Sequence, residues 1–288
     1  MDLSDIKHIG VIGAGTMGHG IAQVCAMHGF QVTMVDIDQA ALDRGLDNIR
    51  RSVEKLYSKN RITEAEYRAG LDNVQTSLDL AAVGDAELVI EAAREDVSVK
   101  TDLFAQLDGL TSPDTILATN TSSISITEIA AATKRPDRVI GMHFMNPVPL
   151  MELVEVIRGL VTSAETLTLI MGLSRALGKT PVEVADFPGF ITNRILMPML
   201  NEAMYALMEG VGTAESIDTV IKLGLNHPMG PLTLADFIGL DVVLNILNVL
   251  YDGFGDPKYR PCPLLKKMVA AGHLGRKSGR GFYEYTPS

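Results

Sequence analysis

Two short polar clusters carry side chains suited to proton transfer. His143 lies in the segment GMHFMNP, directly after the apolar run RVIGM, and Ser122 lies in NTSS, directly after TILAT. Oxidation of an alcohol needs a base to remove the hydroxyl proton as hydride leaves the carbon, and an imidazole does this near neutral pH. A carboxylate partner would fix the tautomer of such a histidine and stabilise its imidazolium. Glu152 and Glu155 are the nearest downstream acids, and position alone leaves both open. The same residues also have an ordinary structural use, His143 as a satisfied core histidine and NTSS as a helix cap. The remaining histidines are less well placed: His8 precedes an apolar run, His19 and His28 fall on a helix pattern, and His227 and His273 sit in loop-like contexts. Cys25 and Cys262 are too few for a disulfide framework and fit a reducing compartment. No Cys/His cluster has metal-ligand spacing, so no metal is expected.

A hydride needs an acceptor, and the N-terminal segment is built for one. GAGTMG, residues 13–18, follows the apolar run HIGVI and opens a helix pattern. In that context Gly13 permits a tight turn, Gly15 lets backbone approach a pyrophosphate, and Gly18 allows close helix–strand packing, with the helix start facing phosphate charge. A second apolar run, QVTMV, ends in Asp36, 18 residues after Gly18, where a carboxylate accepts hydrogen bonds from ribose hydroxyls. An acid there repels a 2′-phosphate, and the next residues, Ile-Asp-Gln, bring no arginine. NAD is therefore expected over NADP.

These groups must be positioned by a sheet. Strands are expected at His8–Ile12, Gln31–Val35, Glu87–Glu91, Thr115–Thr119, Arg138–Met142 and Thr180–Val184, with Leu153–Ile157 a further candidate. Several are continuous branched-apolar runs, as in strands buried on both faces. Helix patterns lie between them; Thr63 and Glu66 form a capping box that opens a short one, and Gly70 is placed to close it. Repeated β–α units predict a doubly wound, mostly parallel sheet with helices on both faces. If the strands before NTSS and HFMN run parallel to the first, Ser122, His143 and Asn146 face one crevice at the strands' carboxyl ends. After DFPG, residues 186–189, strand signals stop. Residues 190–210 read as a helix with Ile191, Ile195, Met199 and Met204 near one face and a kink at Pro198. Ala214, Ile217, Val220 and Ile221 form another stripe. The expected domains are 1–185, α/β and Rossmann-like, and 186–288, all-α.

Composition narrows the partners. The 288 residues carry 25 Lys and Arg against 35 Asp and Glu, a net charge of −10, which disfavours nucleic acid. The N-terminal MDLSDIKH has no apolar run, so it is not read as a secretory signal, and the terminal TPS is not a peroxisomal address. The most apolar stretch, Leu232 to Tyr251, is interrupted by Asp236, Asp241, Asn245 and Asn248 and reads as a buried helix, not a membrane span. Its apolar residues fill more than one helical stripe, which predicts burial on two sides and a homodimer through the helical domain. A cytoplasmic enzyme is expected. Between Arg50 and Arg68, Arg50, Arg51, Lys55, Lys59, Arg61 and Arg68 face Glu54, Glu64 and Glu66, a local balance of +3. Arg51, Lys55 and Lys59 share one helical face, as do Ser52, Lys55 and Lys59. Such a face is either simply solvated or a seat for phosphate groups.

Taken together, GAGTMG, ATNTSS, GMHFMNPVPLMELVEVI, DFPGFITNR, KLGLNHPMGPLTLADFIGLD and GRKSGRGFYEY resemble the L-3-hydroxyacyl-CoA dehydrogenase family over nearly the whole chain. The resemblance implies reversible, NAD-dependent oxidation of an (S)-3-hydroxyacyl-CoA to the 3-ketoacyl-CoA. It implies His143 as general base, Glu155 as its orienting partner in preference to Glu152, and Ser122 and Asn193 as contacts to the substrate oxygen. Cofactor positions are implied at Gly13, Gly15, Met17, Gly18, Asp36, Glu95, Lys100, Ser122, Asn146 and Lys277, and coenzyme A positions at Ser52 and Lys59. Arg94 carries no assigned role. The rival readings are a dehydrogenase of free hydroxy acids on the same scaffold, which the basic face opposes, a non-catalytic crystallin-like relative, and a cofactor-sensing module, which would not need the His–Glu pair.

Overall fold

The structure, a computed structural model, describes residues 1–285; the terminal TPS, residues 286–288, lies outside the described residues. Two compact units divide the chain, Met1–Phe187 and Pro188–Ser288.

The first unit is an eight-stranded sheet in the order β3-β2-β1-β4-β5-β6-β7-β8. Its elements are β1 (His8–Ile12), α1 (Thr16–Met27), β2 (Gln31–Val35), α2 (Gln39–Ser58), α3 (Glu64–Asp72), β3 (Val74–Ser77), β4 (Leu88–Glu91), α4 (Val97–Leu110), β5 (Ile116–Thr119), α5 (Ile126–Ala130), β6 (Val139–Phe144), β7 (Leu153–Arg158), α6 (Ala164–Ala176) and β8 (Thr180–Ala185). Strands β1 to β6 are mutually parallel. The chain winds outward from β1 through β2 to β3, then returns to β4 and continues the other way. That reversal opens a crevice between β1 and β4 at the strands' carboxyl ends. Ile9, Val11, Leu88, Ile90, Ile116 and Ala118 fill the sheet's centre.

Three local expectations change. The first is β3, with sequence VQTS, which lacks an apolar run; it is an edge strand and pairs only with β2, so nothing demands branched apolar residues there. The second is direction: β7 runs antiparallel to β6, and β8 is parallel to β7. The eight residues between β6 and β7 are too few for a parallel crossover. The third is Gly70. The capping box of Thr63 and Glu66 does open α3, but Gly70 lies inside the helix, which ends at Asp72. A Cβ at Gly70 would stand 2.9 Å from Met27 Cγ and 3.1 Å from Val53 Cγ2, so the glycine serves the close approach of α3 to α1 and α2.

The second unit is helical: α7 (Thr192–Met208), α8 (Ala214–Gly224), α9 (Pro231–Ile238), α10 (Leu240–Phe254) and α11 (Pro263–Ala270). Helix α7 runs through Pro198. Its buried face is Asn193, Met197, Leu200, Asn201, Ala203 and Met204, whereas Ile191 and Ile195 are exposed. Of the expected stripe, Met204 is buried and Met199 packs against the core, whereas the inner face of the first turns is made by Asn193, Met197, Leu200 and Asn201 in place of Ile191 and Ile195. In α8 only Asp218 is buried, and Val220 and Leu223 lie open. The single helix expected over Leu232–Tyr251 is two helices bent by 97°. Gly239 makes the corner at φ 103°, a conformation open to glycine without strain. Among the described residues no single helix is long and apolar enough to cross a membrane.

Buried carboxylates fasten this unit's C-terminal segment. Asp236 accepts from the Phe282 and Tyr283 amides and the Tyr285 hydroxyl, each at 3.0 Å. Asp218 accepts from the Leu232 and Thr233 amides at 2.8 and 2.9 Å and from the Tyr283 hydroxyl at 2.9 Å. Burial, helped by the Asp218 carboxylate, holds the Asp236 pKa above the usual carboxylate value despite three donors.

Candidate active site

The glycine turn is shaped by steric demands that only glycine meets at two of its three positions. Gly13 has φ 102°, and a Cβ there would stand 2.6 Å from the Ala92 carbonyl oxygen. A Cβ at Gly18 would run into the Gly13 carbonyl oxygen, so α1 packs directly on the turn. At Gly15 the demand differs: a Cβ there would point into open space, with nothing within 4 Å, and the residue is exposed at the N-cap of α1 without a side-chain cap. The first N–H groups of α1 therefore present their partial positive charge to an external anion. This cradle fits the diphosphate of a dinucleotide. Asp36 closes it: Oδ2 accepts from the Ala14 amide at 2.8 Å and Oδ1 from the Asp38 amide at 3.1 Å.

His143 is the fifth residue of β6, close to the strand's carboxyl end. Because β7 returns antiparallel, Glu155 falls directly opposite it in register. Opposite residues project to the same face with Cβ atoms about 5 Å apart. Their side chains meet, with His143 Nδ1 2.8 Å from Glu155 Oε2. A carboxylate only accepts, so Nδ1 carries the hydrogen and donates. Both residues are buried, whereas Glu152 is exposed before β7 begins. Register thus decides between the two acids.

The NTSS loop leaves β5 beside this pair. Asn120 Oδ1 accepts from the Phe144 amide at 2.8 Å, tying the loop to the end of β6. Glu95 Oε1 accepts from Thr121 Oγ1 at 2.6 Å and from the Ser122 amide at 2.8 Å, with Ser122 Oγ and both Ser123 donors at 3.2 Å. Burial works to raise the Glu95 pKa, but the Lys100 ammonium and these donors prevail and hold it below the usual range. Lys100, 1% exposed, sets its Nζ 2.6 Å from Glu91 Oε1 and 3.4 Å from Glu95 Oε2. Further along, Asp186 accepts from Ser125 Oγ, Ile126 N and Thr127 N at 2.8–3.1 Å, pinning the loop's far end.

The parallel strands bring the glycine turn, Glu95, Ser122, His143 and Asn146 to one edge of the first unit; Asn146 is exposed just past β6. Asn193 is buried in the first turn of α7, in the second unit, where Gly189 and Phe190 lead in at φ 74° and 52°. Left-handed geometry at a bulky residue such as Phe190 costs roughly 1–2 kcal/mol. Lys277, also in the second unit, pairs with Asp241 at 2.6 Å. Lys59 is the C-cap of α2, one residue past its last helical residue Ser58. Arg51, Lys55, Lys59 and Arg61 are exposed and make no ion pair among the described residues, whereas Arg50 and Arg68 pair with Asp47 and Glu64. Sequence reading missed Glu91 and Asp186; both are acids at strand ends, a signal present but too common to single them out. Among the described residues no cluster of His, Cys, Asp or Glu side chains could hold a metal ion.

A glycine turn with a carboxylate at the second strand, facing a carboxylate-held histidine on the same sheet edge, defines an NAD-dependent dehydrogenase of the Rossmann type. Residues 8–187 match the NAD binding domain of 3-hydroxyacyl-CoA dehydrogenase and residues 189–285 match its C-terminal domain. The chain belongs to the 3-hydroxyacyl-CoA dehydrogenase family. It is 56% identical over 281 residues to a probable 3-hydroxybutyryl-CoA dehydrogenase of Bacillus subtilis, covering 98% of each chain. A 3-hydroxybutyryl-CoA dehydrogenase of Clostridioides difficile is 52% identical, over 96% of this chain and 99% of that one. The crystal structure of (S)-3-hydroxybutyryl-CoA dehydrogenase from Ralstonia eutropha superposes with a TM-score of 0.95 at 51% identity, over 98% of this chain and 100% of that one.

Proposed function

We propose that the chain oxidises (S)-3-hydroxybutyryl-CoA and short homologues reversibly with NAD, using His143 as the general acid and base. The observation that carries this reading is the His143–Glu155 pair, 2.8 Å apart, on the sheet edge that also bears the glycine turn. With Nδ1–H held by Glu155, Nε2 is the nitrogen that exchanges protons. It takes the hydroxyl proton in oxidation and returns it in ketone reduction, and Glu155 offsets the imidazolium charge. Ser122, from the Glu95-held loop, and Asn193 steady the oxygen as it becomes a carbonyl. Bound NAD would supply the hydride acceptor for C3. Glycines 13, 15 and 18 with Met17 form its diphosphate seat and Asp36 its ribose contact, with Glu95, Lys100, Asn146 and Lys277 as further cofactor positions. The chain's relatives named for 3-hydroxybutyryl-CoA support the short acyl chain. Acetoacetyl-CoA is expected to oxidise NADH with a kcat/KM at least a hundredfold above that of free acetoacetate; equal values would remove coenzyme A from the reading.

Asp36→Ala is expected to weaken NADH binding about 10–100-fold, the scale of one charge-assisted hydrogen bond. It should narrow the gap to NADPH, since the 2′-phosphate no longer meets a carboxylate. Titration of cofactor fluorescence measures both, and a wild type that uses NADPH as readily as NADH would contradict the role of Asp36.

The unpaired cations Arg51, Lys55, Lys59 and Arg61, with Ser52 beside them, form the seat for the coenzyme A phosphates. Lys59→Ala is expected to raise KM for acyl-CoA several-fold at nearly constant kcat, because a remote phosphate is held equally in ground and transition states. The side chain is exposed, which keeps the effect small. A pantetheine thioester, lacking that phosphate, should not respond; equal losses on both substrates would reassign Lys59 to folding.

We infer also a cytoplasmic homodimer joined through the helical unit. Val211, Val220, Leu223 and Phe237 are exposed there, apolar side chains that a partner subunit would cover. Both cysteines are free and buried, in keeping with a reducing compartment. Light scattering at micromolar concentration is expected to give twice the chain mass, and the monomer mass would refute this.

A further inference from the structure

We propose that Glu91 sets the balance between oxidised and reduced cofactor binding, by drawing Lys100 toward itself so that the Glu95 carboxylate beside Ser122 is only partly compensated. Glu91 is the last residue of β4; it stands beside Ile12, which leads into the glycine turn, and beside Thr119, which leads into NTSS. It is therefore at the centre of the crevice floor, between the cofactor cradle and the loop bearing Ser122. Its side chain is fully buried and completely engaged. Oε1 accepts from the Ala93 amide and from Lys100 Nζ, each at 2.6 Å, and Oε2 accepts from Thr119 Oγ1 at 2.6 Å.

One ammonium here serves two carboxylates, and it sits nearer Glu91, at 2.6 Å against 3.4 Å for Glu95. Glu91 takes the larger share of the Lys100 charge. The cluster of Glu91, Lys100 and Glu95 therefore carries one net negative charge, weighted toward Glu95, whose Oε1 accepts from the Ser122 amide at 2.8 Å. At the rim, Arg94 and Asp96 offset one another at 3.5 Å. The reacting carbon must lie near Ser122 and His143, and the nicotinamide ring must lie against that carbon. A fixed anion at this place favours the oxidised ring, which is cationic, over the reduced ring, which is neutral. One unit charge about 10 Å away through an effective dielectric constant of about 20 changes that preference roughly tenfold.

The test is the ratio of dissociation constants for NAD+ and NADH, from calorimetry and cofactor fluorescence, without turnover. In Glu91→Gln, Lys100 is released to neutralise Glu95, and the ratio is expected to move about tenfold toward NADH. In Glu91→Gln with Lys100→Met, both members of the buried pair are gone and Glu95 keeps its charge. The ratio is then expected to return to within about twofold of wild type, whatever both forms lose in common. Arg94→Glu, at a side chain 80% exposed, should move the ratio about threefold the other way, and it carries the test if Glu91→Gln does not fold. Equal changes for both cofactor forms, a double variant that stays shifted, or an unmoved ratio in Arg94→Glu would overturn the proposal. It rests on the crevice being the NAD site: a wild-type chain that binds neither form sinks that reading, whereas binding of both with an unshifted ratio sinks only the role of Glu91.

Discussion

Replacing His143 with glutamine is expected to lower kcat by about 10²–10⁴-fold while NADH still binds, the range for loss of a positioned acid–base group. Glutamine is the informative replacement. Glu155 is 2% exposed, and its contact to Nδ1 is 2.8 Å, so an alanine at 143 would take away a donor from a buried carboxylate. Removing a donor from a buried carboxylate costs stability and would mix folding with catalysis. The wild-type enzyme should also show opposite pH dependences in its two directions. Oxidation needs the neutral imidazole and falls at low pH, whereas reduction needs the imidazolium and falls at high pH. The glutamine variant should lose both limbs. Glu155→Gln should cut kcat too, since it removes the charge that offsets the imidazolium, with NADH affinity preserved. A folded His143→Gln enzyme with near wild-type kcat and an unchanged pH profile would end this mechanism.

Asp236→Ala is expected to destabilise the helical unit by roughly 3–5 kcal/mol, the scale for breaking a buried charged network. The variant strands the Phe282 and Tyr283 amides and the Tyr285 hydroxyl, and so frees the C-terminal segment. Gly281 exists to let that segment approach, since a Cβ there would overlap the Asp236 carboxyl group. The pH dependence has a definite sign. The folded-state pKa lies above the unfolded value, so the native unit binds the proton more tightly. Its contribution to stability is fully present below the unfolded pKa of about 3.9 and is lost as pH rises through the folded pKa. Asp236→Asn should remove this dependence. With no tryptophan in the chain, urea unfolding followed by tyrosine fluorescence reads both effects; an Asp236→Ala midpoint equal to wild type would show that the segment is held by other contacts.

The glycine turn and Asp36 were legible because both are consequences of local backbone geometry. A strand, a turn with φ 102° at Gly13 and a helix start must follow one another within a few residues, and the spacing to the next strand's end is set by one helix. The sheet's central strands were legible for a related reason, since burial on both faces demands unbroken apolar runs. Where that demand lapses the reading failed. The edge strand Val74–Ser77 carries no such run, and the inner face of α7 mixes Asn193 and Asn201 with Met197, Leu200 and Met204, so hydropathy alone misplaced its N-terminal part.

What the amino-acid order determined by itself was the set of chemical groups, the parallel α/β frame that carries most of them, and the preference for NAD. These follow from short-range rules that act within one β–α unit. Only the tertiary structure decided which acid meets His143, because Glu155 lies within β7 and Glu152 lies before the strand begins. The antiparallel turn of β7 puts Glu155 opposite the histidine and leaves Glu152 in solvent. Only the fold brings Glu91, Lys100 and Glu95 into one charge cluster under Ser122, since its members come from a strand end, a helix and a loop. Side chains from different elements meet through register and packing, and those are properties of the assembled sheet.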